Sequence, residues 1–125
     1  MAITGCAPAI VGIPPRETSI EGIWQVIEVK RQATPQAGDY RITFDNGRLG
    51  ARFGCNHMGG QYRRAGNQLI AEHVTSTLMG CPEPAATIER DAGFVLAQPM
   101  SISWISADQL ELSNRAGGIK LTKAR

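Results

Sequence analysis

Hydrophobic and polar residues alternate along most of the chain after residue 22. Within residues 40–44, Tyr40, Ile42 and Phe44 alternate with polar residues, which is the pattern of a strand with one buried face. The same alternation, together with β-branched and aromatic residues, is typical of half-buried strands. It predicts strands at 23–30, 40–44, 48–55, 59–65, 68–72, 76–81, 100–106, 109–113 and 118–123.

Two details of this pattern are specific enough to be checked. Strict alternation in the first strand places Trp24 and Val26 on one face and Val29 on the opposite face, and Trp24 is expected to pack into the core. The pair Asn46-Gly47 lies between two strand-like segments. It predicts a tight hairpin, because both central residues of such a turn need a positive φ.

The pattern changes to a helical period after residue 82. Pro82 and Pro84 stand at the front of this segment and Pro99 at its end, which favours a helix over 84–97. Its apolar stripe is formed by Ala85, Ile88, Ala92, Val95 and Leu96. The chain is therefore predicted to be mostly β (α+β), a small antiparallel β-barrel-like domain of about eight strands whose single helix plugs or covers one end.

Composition and charge narrow the classes of function. The chain has 125 residues, enough for one domain, and a net charge of +2 without a run of basic residues. It has seven aromatic residues spread along its length. A nucleic-acid-binding protein normally concentrates basic residues on one face, so nucleic acid is not an expected partner. The expected oligomeric state is a monomer.

The N-terminal segment has a different composition. Residues 7–20 contain three prolines and no hydrophobic period, so residues 1–21 are predicted to form a largely extended tether, with the folded domain at 22–125. The sequence Ile-Thr-Gly-Cys at residues 3–6 resembles a bacterial lipoprotein processing box. We therefore expect lipid on Cys6, attachment to a membrane through this anchor only, and a place in the bacterial cell envelope (periplasm or outer membrane).

The chain has three cysteines, an odd number. In an exported protein this suggests one disulfide pair and one special thiol, so Cys6 would carry the lipid and Cys55 and Cys81 would form a disulfide. The alternative is that Cys55 and Cys81 are reduced and pack as small apolar groups.

The stretch GCNHMGG at residues 54–60 is the part of the sequence that most resembles a chemical site. Cys55, His57, His73 and Cys81 could in principle bind zinc, but their spacing does not match the close pairs of structural zinc sites. A Cys55–His57 nucleophile lacks an evident third group to orient the histidine, and the stretch lacks the Lys-Ser/Thr of a phosphate-binding loop. We therefore expect no catalytic residue, metal site or cofactor.

Structural roles explain the same residues more simply. Gly54, Gly59 and Gly60 would permit a sharp bend or bulge in a strand. Asn56 would bond to its own local backbone in a turn. The remaining polar positions are expected at the surface: His57 and Met58 at a barrel end, Arg63 and Arg64 on a solvated strand edge, and Glu89 on the helix surface or as a capping residue.

Several short motifs occur together in one order along residues 22–123. They are Trp24; Gly54, Cys55 and Asn56; Gly60 and Tyr62; Thr77, Met79 and Cys81; Glu89; and Leu110 with Leu112. This combination resembles the META domain family, also described as heat-shock protein HslJ-like. One position departs from the family pattern, because Ala92 stands where a bulky apolar residue is usual, and Phe94 is expected to fill the space. The resemblance implies structural roles for Trp24, Gly54, Asn56, Gly60, Thr77, Met79 and Glu89.

The resemblance also implies a class of function. It points to a compact barrel-like domain found in bacterial envelope proteins and lipoproteins with links to stress and antibiotic resistance, and it implies no enzymatic activity, cofactor or ligand. The expected function is a non-enzymatic, stress-related accessory or binding role toward a protein or small ligand of the envelope. The alternatives are a small-ligand-carrying, lipocalin-like barrel and a protein–protein interaction or inhibitor module.

Overall fold

A computed structural model of the protein describes residues 18–124. The elements are β1 (Gly22–Val29), β2 (Gln32–Ala33), β3 (Tyr40–Asp45), β4 (Arg48–Phe53), β5 (His57–Ala65), β6 (Gln68–Ser76), α1 (Ala85–Leu96), β7 (Met100–Ser106), β8 (Gln109–Asn114) and β9 (Gly117–Lys123). Cys6 and residues 1–17 of the predicted tether lie outside the described residues. Between residues 18 and 124, no helix is long and apolar enough to cross a membrane.

Eight of the strands form a closed antiparallel barrel. The order is β1-β3-β4-β5-β6-β7-β8-β9, and β1 also pairs with β9, which closes the sheet; β2 is a short addition beside β1. Closure leaves few free strand edges for aggregation. The predicted fold, a small antiparallel barrel of about eight strands with one helix, is confirmed.

The junction of β6 and β7, called here the β6–β7 seam, is the weakest pairing in the barrel. It consists of Gln68 opposite Ser101 and Leu69 opposite Met100, whereas β5 and β6 pair over seven positions. Beyond this seam, Ala71 and Val74 of β6 line a pocket together with residues of α1.

The hairpin at Asn46-Gly47 forms as predicted. Asp45 pairs with Arg48, so the loop between β3 and β4 has two residues. Asn46 has φ 53° and Gly47 has φ 86°, the positive values that this turn requires.

A bulge in β1 changes the faces expected from alternation. The pairing of β1 with β9 shifts register between Val26 and Glu28. Beyond the extra residue, the side chains that would have pointed away from the core point toward it. Trp24, Val26 and Val29 are therefore all buried. The prediction that Trp24 packs in the core is confirmed, and the placement of Val29 on the face opposite Trp24 is wrong.

The barrel interior is filled by large side chains. Those that are fully buried include Trp24, Phe44, Phe53, Ile42, Leu110 and Leu121. The Trp24 indole N–H donates to the Ile20 carbonyl at 2.7 Å, and Ile20 is itself buried. The packed core therefore includes a residue that precedes β1.

The helix covers the barrel with the stripe that its period predicts. Ala85, Ile88, Ala92, Val95 and Leu96 are the buried residues of α1. Phe94, expected to fill the space beside Ala92, is instead 59% exposed, because it lies on the opposite side of the helix from the buried stripe. At the far end of α1, the Asn114 amide donates to the carbonyls of Val95, Gln98 and Pro99.

One other expectation is wrong. Residues 77–81 do not form a strand, because β6 ends at Ser76 and a loop leads from there to α1. Arg63 and Arg64 pair with Ile70 and Leu69 of β6, but the pairing of β5 with β4 ends at Gln61, so these two arginines lie beyond β4.

Candidate functional site

A disulfide joins the start of β5 to the loop before α1. Cys55 and Cys81 are bonded with an S–S distance of 2.03 Å and a Cα–Cα distance of 6.0 Å. The predicted pairing of these two cysteines is confirmed. The bond ties a loop without regular structure to the barrel wall.

Asn56, next to this disulfide, is the one buried polar side chain in the part of the chain that the structure describes. Its Oδ1 accepts hydrogen bonds from the Met79 N–H at 2.8 Å and the Thr77 hydroxyl at 2.9 Å. Its Nδ2 donates to Glu89 Oε2 at 2.8 Å and to the Met79 carbonyl at 3.3 Å. The side chain is therefore satisfied on both its donor and its acceptor side.

Glu89 completes this arrangement from α1. Its second oxygen accepts the Asn56 backbone N–H at 3.1 Å, so one carboxylate receives both the main chain and the side chain of Asn56. The expectation that Glu89 is a surface or capping residue is wrong. The local turn expected for Asn56 is also wrong, because its bonds reach residues 21 to 33 positions away.

Two of the glycines around this site are required by close contacts. Gly54 has φ 90°, and a Cβ there would overlap the Tyr40 hydroxyl. At Gly60 a Cβ would lie 2.7 Å from the Glu72 carbonyl oxygen, closer than carbon and oxygen approach without bonding. Gly59 has only a distant neighbour at 3.9 Å. Gly54 and Gly60 therefore have the structural role that the sequence predicted.

The histidines lie apart from the cysteine pair. The His57 side chain is exposed and its Nε2 lies 2.7 Å from Arg52 Nη1, while His73 has φ 54° within β6. Among residues 18–124, the group of metal-capable side chains is Cys55, Cys81 and Glu89, whose ligand atoms lie within 4.8 Å of one another. Both sulfurs are used in the disulfide and the carboxylate holds Asn56, so this cluster is structural as it stands.

Tyr62, on β5, has a strongly shifted pKa. Its hydroxyl donates to Glu21 Oε2 at 2.7 Å, and its ring packs edge-on against Phe44. Burial, followed by the hydrogen bond and negative charge of Glu21, raises the pKa of Tyr62 to about 12. Tyr62 therefore acts as a neutral donor that holds Glu21, just ahead of β1, against the barrel.

A shallow groove lies between α1 and the strands β5 and β6. It has a volume of about 370 Å³, and its walls include Met58, Ala71, Val74, Gly93, Leu96 and Ala97. We call it the α1 groove. Sequence reasoning missed it, although Gly93 in the middle of a predicted helix was a signal, since glycine there lowers helix stability.

Comparison with known proteins agrees with this geometry. A family model described as the META domain matches residues 17–125. No curated protein matches the chain. The chain is similar to a protein solved by NMR, with 16% sequence identity and a TM-score of 0.73. The alignment covers 88% of this chain and 95% of that one. An NMR structure of a protein from Burkholderia xenovorans is 18% identical with a TM-score of 0.67, covering 83% and 82%. At these identities the two structures show a shared fold.

Proposed function

This chain belongs to the META domain family, and from that membership we propose that it is a non-enzymatic binding domain of the bacterial cell envelope with a stress-related accessory role. In this proposal Cys6 carries the lipid that holds the domain at a membrane. The partner is a protein of the envelope rather than a ligand enclosed by the barrel.

The Cys55–Cys81 disulfide is the observation that carries the proposal. Structural disulfides form and persist in oxidising compartments such as the bacterial periplasm and are rare in the cytosol. The bond also consumes the Cys55 thiol, which belongs to the stretch at residues 54–60 that most resembles an active site. Asn56 and Glu89, beside it, are engaged with each other, which supports a structural rather than a catalytic cluster.

The filled interior favours surface binding over ligand carriage. A lipocalin-like carrier needs space inside the barrel, and eight-stranded barrels are commonly filled by side chains. Trp24, Phe44 and Phe53 occupy this interior and are 1% exposed or less. The α1 groove is open to solvent between α1 and the strands β5 and β6, where a macromolecular partner can reach it.

Fractionation of the source cells tests the compartment. Thiols are blocked with an alkylating reagent before lysis, and the chain is then analysed by mass spectrometry with and without reduction. We expect it in the membrane fraction of the envelope, with Cys55 and Cys81 labelled only after reduction. Recovery in the cytosol with both thiols free would contradict the proposal. A Cys6→Ser variant should leave the disulfide intact and move the protein out of the membrane fraction.

A deletion strain tests the accessory role. We expect it to be more sensitive to heat or to envelope-acting antibiotics, and the full chain should restore resistance. The Cys6→Ser variant should restore it less well, because the domain is no longer held at the membrane. Equal resistance of deletion and parent strains under every envelope stress would count against the role.

A further inference from the structure

Within residues 18–124, one side of β6 has no strand partner over most of its length. β6 runs from Gln68 to Ser76, but its pairing with β7 stops at Leu69 opposite Met100. From Ile70 onward, its second side faces the α1 groove. A strand edge of this kind presents main-chain donors and acceptors that another extended chain can pair with.

The orientation of Ala71 follows from the neighbouring strand. The Tyr62 N–H donates to the carbonyl of Gly47 in the β3–β4 turn at 2.9 Å, so Tyr62 directs its main-chain groups away from β6. Ala71 stands opposite Tyr62 in the β5–β6 ladder. Two residues that stand opposite each other in an antiparallel pair of strands behave alike: their N–H and C=O groups either bond to each other or both point away from the pair. The N–H and C=O of Ala71 therefore point into the α1 groove.

The groove walls suit an extended main chain. Ala71 on one side and Gly93 and Ala97 on the other are small, so a peptide backbone can approach both walls. A Cβ placed on Gly93 would meet nothing within 4 Å, which shows that space is open above the helix. Met58 and Val74 add apolar surface, and among the described residues none of those lining the groove is charged.

An apolar residue stands where β6 leads out of the groove. Leu78 is 94% exposed, yet the loop around it is held by the Asn56 bonds to Thr77 and Met79 and by the disulfide. Because this loop is already restrained, a contact with Leu78 costs little loop ordering on binding.

We infer that the α1 groove binds an extended apolar peptide segment of a partner protein, which adds a strand to β6 beyond the point where its pairing with β7 stops. This inference rests on the proposed binding function and names its site and the chemistry of its partner. The main-chain groups of Ala71 supply the first ladder bonds, and the apolar wall receives alternate side chains of the peptide. The positive φ of His73 bends β6, so the ladder is short and extends only over residues 70–72.

Substitution of Gly93 tests the groove without disturbing the fold. Gly93→Leu places a side chain in the open space and replaces glycine by a better helix former, so the unfolding midpoint should stay equal or rise. Gly50→Leu is the matched control, because Gly50 also has nothing within 4 Å of an added Cβ and does not line the groove.

The probe is a peptide selected from a random nine-residue phage-display library on the full chain and then synthesised. We expect enrichment of sequences with alternating apolar residues, amide shifts in NMR spectra at Ala71 and Gly93, and slower exchange of the Ala71 amide when the peptide is bound. The Kd should rise at least about tenfold in Gly93→Leu and stay unchanged in Gly50→Leu. A peptide N-methylated at the residue opposite Ala71 should bind at least about tenfold more weakly, since it has lost a ladder donor.

Several outcomes would overturn the inference: no enriched peptide, equal affinity of both leucine variants, shifts that map away from α1, or indifference to N-methylation. Self-association of the wild-type chain that Gly93→Leu abolishes would make a second copy the occupant instead. None of these results alters the compartment or the thiol state measured in cells. A failure of peptide binding at the α1 groove can therefore be distinguished from a failure of the proposed function.

Discussion

Asn56 joins three segments that lie far apart in the chain. It stands just ahead of β5, and its amide and backbone bond to the 77–79 loop and to Glu89 on α1. A buried amide with satisfied donors and acceptors fixes the relative position of its partners, whereas an apolar residue in its place would leave those partners unpaired. This one side chain therefore sets where the helix and its preceding loop meet the barrel.

Replacement of Asn56 should cost a large share of the domain's stability. Asn56→Ala leaves the partly buried Glu89 carboxylate without its amide donor and the Met79 N–H without its acceptor, so we expect a loss of about 2–3 kcal/mol in the free energy of unfolding. Urea titration measures it. Gln61→Ala, at an exposed position of β5, should change the same quantity by less than about 0.5 kcal/mol. Equal effects of the two substitutions would show that the network contributes little.

Tyr62 should titrate well above an ordinary tyrosine. Its folded pKa of about 12 exceeds the reference value of 10.0, so its contribution to stability is fully present below pH 10 and is lost as the pH rises from 10 toward 12. Ultraviolet absorbance of tyrosinate measures this, and Tyr62→Phe should remove the step near 12. The pKa of Tyr40 is also raised by burial, so a step at the reference pKa in folded wild type would contradict the assignment.

At the scale of elements, the loop between β6 and α1 has no regular structure and depends on its attachments. The disulfide holds it at Cys81, and the hydrogen bonds of Asn56 hold it at Thr77 and Met79. These attachments also position the start of α1, because the helix begins four residues after Cys81.

Loss of the disulfide should destabilise the domain through the unfolded state. Cys55 and Cys81 are separated by 26 positions, for which the chain-entropy model gives about 3.5 kcal/mol. The measurement is urea unfolding of Cys6→Ser with and without reductant, so that the pair alone responds. Cys55→Ser combined with Cys81→Ser should match the reduced protein. An unchanged midpoint after complete reduction would refute this contribution.

Two glycine-to-alanine changes should have opposite signs. Gly93 lies within α1 with open space around an added Cβ, so Gly93→Ala should stabilise the domain by about 1 kcal/mol. Gly54→Ala forces a positive φ on alanine and a clash with Tyr40, so it should destabilise the domain by about 2 kcal/mol or more. Thermal unfolding followed by circular dichroism compares them, and a stabilised Gly54→Ala would show that the bend at residue 54 can relax.

At the scale of the whole molecule, the barrel is closed but unevenly joined. β1 and β9 pair over five positions, while the β6–β7 seam has two. Ala71 of β6, two residues beyond the last pair of the seam, lines the α1 groove, so the weakest pairing of the barrel and the α1 groove are adjacent.

Native-state hydrogen exchange should detect this unevenness. The Ala71 amide points into the groove, whereas Ile42 lies on β3, which pairs with both β1 and β4. We expect the Ala71 amide to exchange on the order of 100-fold faster or more, because its exposure does not need the barrel to open. NMR-detected exchange measures both amides in one sample, and comparable protection would contradict the free edge of β6.

The sequence alone determined the features that depend on neighbouring residues or on pairwise chemistry. Alternation in 40–44, the positive-φ pair Asn46-Gly47 and the helical stripe of α1 are local requirements, so the barrel of about eight strands with one helix followed from them. The Cys55–Cys81 pair followed from the odd number of cysteines in a chain expected to be exported.

Tertiary structure decided the features that need a partner distant in the chain. The bulge in β1 arises where that strand pairs with β9, and the partners of Asn56 lie more than twenty residues away, so neither has a local pattern that predicts it. The α1 groove lies where residues of β6 that do not pair with β7 meet residues of α1. Alternation and helical period describe which face of an element is buried, but they do not describe which elements leave a gap between them.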